Sequence, residues 1–251
     1  MWHYLLPLSN NDSLKIKYKK KSKIILFFAS TLSLLTLTYG FYEPHNTEET
    51  PPVYDLRHSR RLFPAEDQAK CSACFALAAT TVLEFWAGAP LSAQEVMDCS
   101  RGHGSSCKSG GSVDNVFQWA LTHPVYVHPR KSRFTGRDGR CERPLRPQVY
   151  LQVEAFESER FGGIQRLKEL VWRYGPVVVA VNAERRDTEE GYIVCGGAAA
   201  HSVTIVGYSG DVFMIKNSWG TTWGNKGFAK LNTRECKLGT IHYVTRAHLR
   251  S

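Results

Sequence analysis

Apolar residues in the first half of the chain recur at helical spacing. Residues 74–86 (CFALAATTVLEFW) are apolar almost all round, which predicts a buried central helix. Ser92 to Glu95 has the capping-box pattern that opens a short helix, and Ser112 can cap a third helix. The apolar side of that third helix is formed by Val113, Val116, Phe117 and Ala120.

The second half begins with one more helix and continues at strand spacing. An apolar stripe over residues 164–174 ends at Gly175 and Pro176, which predicts a helix there. Short β-rich runs separated by Gly and polar turns predict strands at residues 177–181, 203–208, 212–216, 227–231 and 241–246. Helices followed by strands favour an α+β fold with two lobes and an active site in the cleft between them.

The N-terminal segment carries the signals of an exported protein. Six lysines between residues 15 and 23 precede an apolar run over residues 24–42, and three glutamates follow within residues 43–50. This order of charges predicts that the chain after the run is exported. A cleaved signal peptide and an uncleaved signal anchor both fit the run, since about 19 residues just span a bilayer. We therefore expect residues 1–50 to be the lead, signal or anchor and linker, and residues 51–251 to fold in the secretory pathway, a lysosome-like compartment or outside the cell.

The composition excludes several classes of protein. Hydrophobic residues make up 43% and charged residues 22% of the chain, which excludes disordered, collagen-like and disulfide-dominated mini-proteins. The net charge is +9, and much of it lies in a basic loop at residues 128–146. We interpret this loop as a solvated surface. The alternative is a surface for anionic glycans or acidic substrates.

The cysteine count points to one thiol with a separate role. The chain has seven cysteines, so six can pair in an exported protein and one is left over. Cys71 and Cys74 form a C-x-x-C motif with three interpretations. They could be zinc ligands, a redox-active pair, or one disulfide-bonded and one free cysteine. Zinc needs a second set of well-spaced ligands, and a redox pair needs a preceding strand. The third interpretation fits best, because Cys74 opens the central helix, where the dipole favours a thiolate. We predict no metal and no cofactor.

A nucleophilic thiolate also needs a base and a group that orients the base. His201 begins a predicted strand 127 residues after Cys74, and Asn217 ends another strand 143 residues after it. On these residues the chain resembles the papain-family, cathepsin-like cysteine peptidases. The matching segments, in chain order, are PVYDLR, QAKCSACF, LSAQEVMDCS, RDGRC, YGPVVVAV, HSVTIVGY and IKNSWGTTWGNKGF.

The resemblance covers about residues 51–249 and implies a papain-like two-lobed fold. The helical lobe would span about residues 63–148 and contain the long central helix. An antiparallel β-barrel-like lobe would span about residues 149–249 together with residues 51–62. The active-site cleft would lie between them.

The resemblance also implies the catalytic roles. Cys74 would be the nucleophile, paired as a thiolate with the His201 imidazolium, and would form a thioester acyl-enzyme during peptide-bond hydrolysis. Asn217 would fix the imidazole plane. Gln68 would donate to the oxyanion beside the Cys74 backbone N–H. We expect an endopeptidase; the alternative is a catalytically silent papain-fold binding protein.

Further residues are implied for substrate binding and for disulfides. Gly110 and Gly111 would pair with an extended peptide, Trp219 would cover the His201–Asn217 bond, and Trp223 would line the leaving-group side. A small apolar selectivity pocket, suited to an aliphatic or modest aromatic side chain, would be lined by Val113, Ala180, Ala199, Ser202 and Ile241. The implied disulfides are Cys71–Cys107, Cys99–Cys141 and Cys195–Cys236.

The chain departs from the family pattern at several places. Ser72 stands where the family has glycine, and Phe75 where it usually has tryptophan. Only about ten residues separate the apolar run from the predicted domain, so we expect no inhibitory propeptide and another means of controlling latency. The expected partners are peptide or protein substrates and cystatin-like protein inhibitors. We expect no nucleic acid, and a monomer.

Overall fold

The computed structural model describes residue 44 and residues 49–101, 104–128, 133–142, 149–184, 187–189, 191–196 and 200–251. The apolar run at residues 24–42, predicted as a signal peptide or anchor, lies outside these ranges. Within them, no helix is both long enough and apolar enough to cross a bilayer.

The helices follow the apolar stripes and the caps of the sequence. The helices are α1 (Cys74–Ala87), α2 (Ala93–Cys99), α3 (Val113–Thr122) and α4 (Ile164–Tyr174). The hydroxyl of Ser92 accepts a hydrogen bond from the Glu95 N–H at the start of α2, and Ser112 does the same for the Asp114 N–H at the start of α3. Helix α1 is capped at its C-terminal end by Gly88, which has a left-handed φ of 61°. The Gly88 N–H donates to the Glu84 carbonyl.

The strands form one antiparallel sheet in the described chain. The strands are β1 (Val53–Asp55), β2 (Val125–Tyr126), β3 (Tyr150–Arg160), β4 (Val177–Val181), β5 (His201–Ser209), β6 (Val212–Lys216), β7 (Phe228–Asn232) and β8 (Leu238–Arg250). Their order is β2-β3-β8-β4-β5-β6-β7, with β1 paired to β5. Helices followed by an antiparallel sheet confirm the predicted α+β class.

The sheet separates two hydrophobic clusters. Helices α1, α2 and α3 pack together in the first cluster, where Val178 of β4 and Val244 of β8 also lie. Helix α4 packs in the second cluster, which includes Val179 of β4 and Ile241 of β8. Because neighbouring residues of a strand point to opposite faces, β4 and β8 each contribute side chains to both clusters. Helix α1 is the centre of the first cluster, since every residue from Phe75 to Ala87 is buried.

Three disulfides join the pairs that the family resemblance implies. They link Cys71 to Cys107, Cys99 to Cys141, and Cys195 to Cys236. The first two tie loops to the helical part of the molecule. The third joins the segment before β5 to the segment before β8.

Candidate active site

Cys74 is the free cysteine of the described chain and the first residue of α1. Its side chain is partly exposed. Burial raises the pKa of the Cys74 thiol, and it outweighs the hydrogen bonds from the backbone and side chain of Ser202, which lower the pKa. The thiolate of Cys74 therefore needs a further positive charge if it is to form near neutral pH.

His201 and Asn217 form a hydrogen-bonded pair at the adjoining ends of two strands. His201 Nε2 lies 2.8 Å from Asn217 Oδ1, and both residues are buried. The backbone N–H of Ser218 donates to the same Oδ1 at 2.8 Å, which fixes that atom as the amide oxygen. Since Oδ1 can only accept, His201 Nε2 carries a hydrogen and donates it. In the neutral imidazole, Nδ1 is then the nitrogen that can take a proton.

Two tryptophans enclose this pair. The Trp219 ring stacks on the His201 imidazole, with ring centroids 4.8 Å apart and an angle of 21° between the planes. Trp223 contacts Trp219 edge-on at 5.1 Å, and each of the two is 8% exposed. The His201–Asn217 bond is thereby shielded from water, which strengthens it.

Gln68 is held in place by contacts at both ends of its amide. The Gln68 Nε2 group donates to the Cys71 carbonyl at 2.8 Å, and Oε1 accepts from the Ser218 hydroxyl at 2.5 Å. The Gln68 backbone N–H also donates to the Ser218 carbonyl at 2.9 Å. An amide nitrogen carries two hydrogens, so Nε2 has a second hydrogen besides the one given to Cys71.

Ser218 is a residue whose role the sequence analysis missed. It binds Asn217 through its backbone N–H and Gln68 through its hydroxyl, and so connects two side chains that lie far apart in the sequence. Its position between Asn217 and Trp219 was the one sequence signal for this role. A serine in such a position can equally be exposed to solvent, so the signal does not identify its hydrogen-bond partners.

Gly110 and Gly111 lie beside the segment that leads into α1. The Cys71–Cys107 disulfide and a hydrogen bond from Ser72 N–H to the Cys107 carbonyl, 2.9 Å long, hold their loop there. Gly110 has a φ of 74°, which favours glycine. A Cβ on Gly111 would lie 2.5 Å from the Phe75 ring, so the second glycine is required by close packing.

The structure brings only part of the predicted selectivity pocket together. Val113 is buried, at 4% exposed, and Ala180 is the residue of β4 that is not fully buried. Ala180 lies opposite Ser202 in the sheet. Ala199 falls outside the described residues.

Ile241 requires a correction. It is fully buried in the second hydrophobic cluster, on the face of the sheet away from α1. Val179 pairs with Ile241 but Val181 pairs with Leu238, so a β-bulge adds one residue to β8. An inserted residue reverses the faces of the residues beyond it. The residue of β8 that shares the face of Val178 and Ala180 is therefore His242.

A groove is lined by residues that flank Gln68 and follow Trp219 in the chain. Asp67 forms a β-bridge with Trp219, and the Gly220 N–H donates to the Glu66 carbonyl at 3.0 Å, so these two segments lie against each other. The groove has a volume of about 550 Å³. Its lining residues are Pro64, Ala65, Glu66, Asp67, Ala69, Arg133, Phe134, Thr135, Gly136, Gly220 and Thr221.

The chain is similar in sequence to known plant cysteine proteases. Cysteine proteinase 15A of Pisum sativum is 30% identical over 217 residues, which cover 74% of this chain and 58% of that protein. Germination-specific cysteine protease 1 of Arabidopsis thaliana is 28% identical over 201 residues, covering 74% of this chain and 53% of that protein. The chain thus spans a little over half the length of these curated relatives.

A solved structure shares the fold. Digestive procathepsin L 3 from the larval midgut of Tenebrio molitor matches with a TM-score of 0.68 at 21% identity, covering 82% of this chain and 74% of that one. Residues 50–245 match the model of the family described as papain family cysteine protease. Since that match extends over most of the chain, the protein belongs to the papain family of cysteine proteases.

Proposed function

We propose that this protein is a papain-type endopeptidase in which Cys74 attacks the peptide carbonyl and His201 transfers the protons. The observation that carries the proposal is the His201–Asn217 bond of 2.8 Å, because it leaves the proton-accepting nitrogen of the imidazole directed away from Asn217. The contacts of Ser202 with Cys74 support a short distance between the thiol and this imidazole, since Ser202 follows His201 in the chain.

The first step is the transfer of a proton from Cys74 Sγ to His201 Nδ1. Burial disfavours the isolated thiolate, but the imidazolium formed in the same step supplies the compensating charge. The start of α1 adds the positive end of a helix dipole at the sulfur. Asn217 keeps the ring in one orientation and stabilises its protonated form by accepting from Nε2.

Acylation follows from the positions of the donors. The thiolate forms a bond to the carbonyl carbon, and the carbonyl electron pair moves to the oxygen. The Cys74 backbone N–H and the second Nε2 hydrogen of Gln68 would stabilise that oxyanion. When the oxyanion collapses, the C–N bond breaks and His201 Nδ1 gives its proton to the leaving amine, which leaves a thioester on Cys74.

Deacylation uses the same groups in reverse. His201 Nδ1, now neutral, takes a proton from water while the water oxygen attacks the thioester carbonyl. The C–S bond then breaks, the carboxylic acid product leaves, and the thiolate–imidazolium pair is restored. Gln68 supports both halves of the reaction, since each passes through an oxyanion at the same place.

Two surfaces other than the Cys74 and His201 pair support endopeptidase activity. The groove of about 550 Å³, lined by residues that flank Gln68 and follow Trp219 in the chain, would take the leaving-group side of a substrate. Gly111 would offer its backbone groups to an extended peptide, whereas the N–H and C=O of the neighbouring Gly110 pair with Ser106. A substrate with several residues on each side of the cleaved bond would use both.

The disulfides support a location in the secretory pathway, since such bonds form and persist in oxidising compartments. We also propose that residues 51–251 make up the peptidase domain, that its substrates are proteins or peptides, and that cystatin-like proteins would inhibit it by occupying the cleft.

Labelling with an irreversible thiol-directed peptide epoxide tests the proposed nucleophile. The disulfide-bonded protein should gain one equivalent of label at Cys74, by intact mass and peptide mapping, and should hydrolyse a quenched fluorescent peptide. Cys74→Ser, which keeps the size of the side chain, should lose both properties. A wild-type protein that takes up no label and cleaves no peptide between pH 4 and 8 would contradict the proposal.

A further inference from the structure

The side chains of Asp114, Ser158 and His242 form a polar cluster on the face of the sheet that is turned toward α1. His242 of β8 pairs with Val178 of β4, and Ala180, two residues further along β4, pairs with Ser202. Directly opposite residues share a face of the sheet. The face is identified by Thr204, whose hydroxyl donates to the Ala78 carbonyl of α1 at 3.2 Å. His242 therefore lies on the same face of the sheet as Ser202, the strand residue that contacts Cys74.

The position of His242 relative to Cys74 follows from the strand spacing. Strands are about 4.8 Å apart and rise about 3.4 Å per residue, so His242 lies roughly 12 Å from Ser202, two strands across and two residues along. Ser202 contacts Cys74, and the small residues Ala180 and Gly239 lie between Ser202 and His242, where a Cβ on Gly239 would approach the Ala180 Cβ to 3.3 Å.

Asp114 of α3 is held by the two residues on the strands. The Ser158 hydroxyl donates to Asp114 Oδ1 at 2.5 Å, and His242 Nδ1 lies 3.1 Å from the same oxygen. Ser158 of β3 pairs directly with His242 across the sheet. Three elements thus converge on a single carboxylate oxygen, which leaves Oδ2 for another partner.

The carboxylate of Asp114 is accessible and its charge is not cancelled by its neighbours. Half of its side chain is exposed, although His242 beside it is nearly buried. Burial lowers the pKa of His242 despite the attraction of Asp114, so His242 is mainly neutral at pH 7. Glu159, next to Ser158, points to the opposite face, where Arg166 binds it at 2.8 Å. The cluster therefore carries one negative charge.

Asp114 also lies close to the predicted peptide-binding backbone. It follows Gly111 by three residues, on the first turn of α3, whose start is fixed by the Ser112 cap. A peptide extended along Gly110 and Gly111 would pass this turn on its way to Cys74. A carboxylate at such a place attracts a guanidinium or ammonium group.

From this arrangement we propose that Asp114, held by Ser158 and His242, is a specificity residue that binds a basic side chain of the substrate. The side chain is that of the residue preceding the one whose carbonyl Cys74 attacks, with Arg preferred to Lys because a guanidinium can bond to a carboxylate with two N–H groups. This replaces the expectation of an apolar pocket, in which Ile241 was one of the five lining residues. The inference rests on the proposed peptidase function and defines its substrate class.

The test compares peptides that differ in one charge. Quenched fluorescent peptides carry Arg, citrulline or Leu at that position and are otherwise identical; citrulline keeps the shape of Arg without its charge. For the wild type we expect kcat/KM for Arg to exceed that for citrulline by about tenfold, a difference that shrinks as salt is raised. Asp114→Asn should bring the ratio to within about twofold while leaving the Leu peptide nearly unchanged. Asp211→Asn, which removes an exposed carboxylate on the turn between β5 and β6, should keep the wild-type ratio.

The outcomes separate this inference from the proposed function. Equal rates on Arg and citrulline in the wild type, or an unchanged ratio in Asp114→Asn, would overturn the inference while cleavage of the Leu peptide still supports the peptidase. Failure to cleave any peptide, together with no epoxide label on Cys74, would overturn both. If Asp114→Asn does not fold, Asp114→Ser is measured in its place, with the same ratio expected to fall.

Discussion

Replacing His201 by alanine should change how Cys74 depends on pH. In the proposed mechanism the imidazolium of His201 keeps the Cys74 sulfur ionised at acidic pH. Burial alone raises the pKa of this thiol, because the charged form is the one that loses hydration. In His201→Ala the thiolate should therefore form only above the pH at which an ordinary cysteine ionises. Alkylation of Cys74 at acidic pH should fall sharply.

The expected loss in the alkylation rate of Cys74 can be calculated for pH 5. A thiol with an ordinary pKa of about 8.5 is ionised to roughly three parts in ten thousand at that pH. A thiolate of pKa about 8.5 is intrinsically a better nucleophile than a His-paired thiolate of pKa about 4, which recovers a factor of about 100. The net loss of alkylation rate relative to a fully ionised Cys74 is then roughly 30-fold. The burial of Cys74 moves its pKa further up and so increases the loss.

The assay is the rate of alkylation by iodoacetamide between pH 4 and 10, followed by intact mass. Cys74 is the free thiol of the described chain, and peptide mapping verifies the site. His58→Ala, which removes an exposed histidine, is the matched control and should keep the wild-type profile. If His201→Ala alkylates with the same pH profile as the wild type, the thiolate–imidazolium pair is wrong, whatever the effect on peptide hydrolysis.

Three further predictions concern the oxyanion donor, the glycine loop and a disulfide. Gln68→Ala should lower kcat by about 10²–10³ with little change in KM, measured by steady-state hydrolysis; an unchanged kcat would remove Gln68 from the oxyanion site. Gly111→Ala should lower the free energy of unfolding by about 1–3 kcal/mol in urea denaturation, because its methyl would meet the aromatic ring beneath it at 2.5 Å. Gly162→Ala, where the nearest atom is 3.6 Å away, is the control and should be nearly neutral. Replacing Cys195 and Cys236 together by serine should cost about 4 kcal/mol, since their separation of 41 residues sets the loop entropy; a loss below 1 kcal/mol would contradict this.

The elements that the sequence predicts best are those whose pattern is strong over a long window. Helices α1 and α4 begin and end within a residue of the predicted limits, because an apolar stripe and a terminal glycine determine both ends. The strand over Tyr150–Arg160 was not predicted. Its Leu151 and Val153 alternate as a strand should, but its second half is largely exposed and polar. The pairing of that half with β8 is a tertiary contact that a local pattern does not contain.

The candidate site was predicted from residues that carry distinctive chemistry, and its supporting contacts were not. A histidine and an asparagine at the right spacing from a cysteine can be recognised in a sequence. The hydroxyl of Ser218, which connects Gln68 to the Asn217 loop, depends on two loops that meet only in the fold. Serine side chains are common partners of this kind, so the residue type alone could not have identified it.

The correction at Ile241 shows how one residue can change the chemistry expected of a binding cleft. Glycine within a strand is a recognised signal for a β-bulge, and Gly239 lies where β8 gains its extra residue. Without the bulge, an apolar side chain would face the substrate. With it, Ile241 goes into the core and His242 faces α1, where it and Ser158 bind the carboxylate of Asp114. Strand register has a period of two, so an error of a single residue exchanges a hydrophobic surface for a charged one. In the proposed mode of substrate binding, this bulge sets the choice between an apolar and a basic substrate side chain, and the ratio of rates on the Arg and citrulline peptides measures that choice.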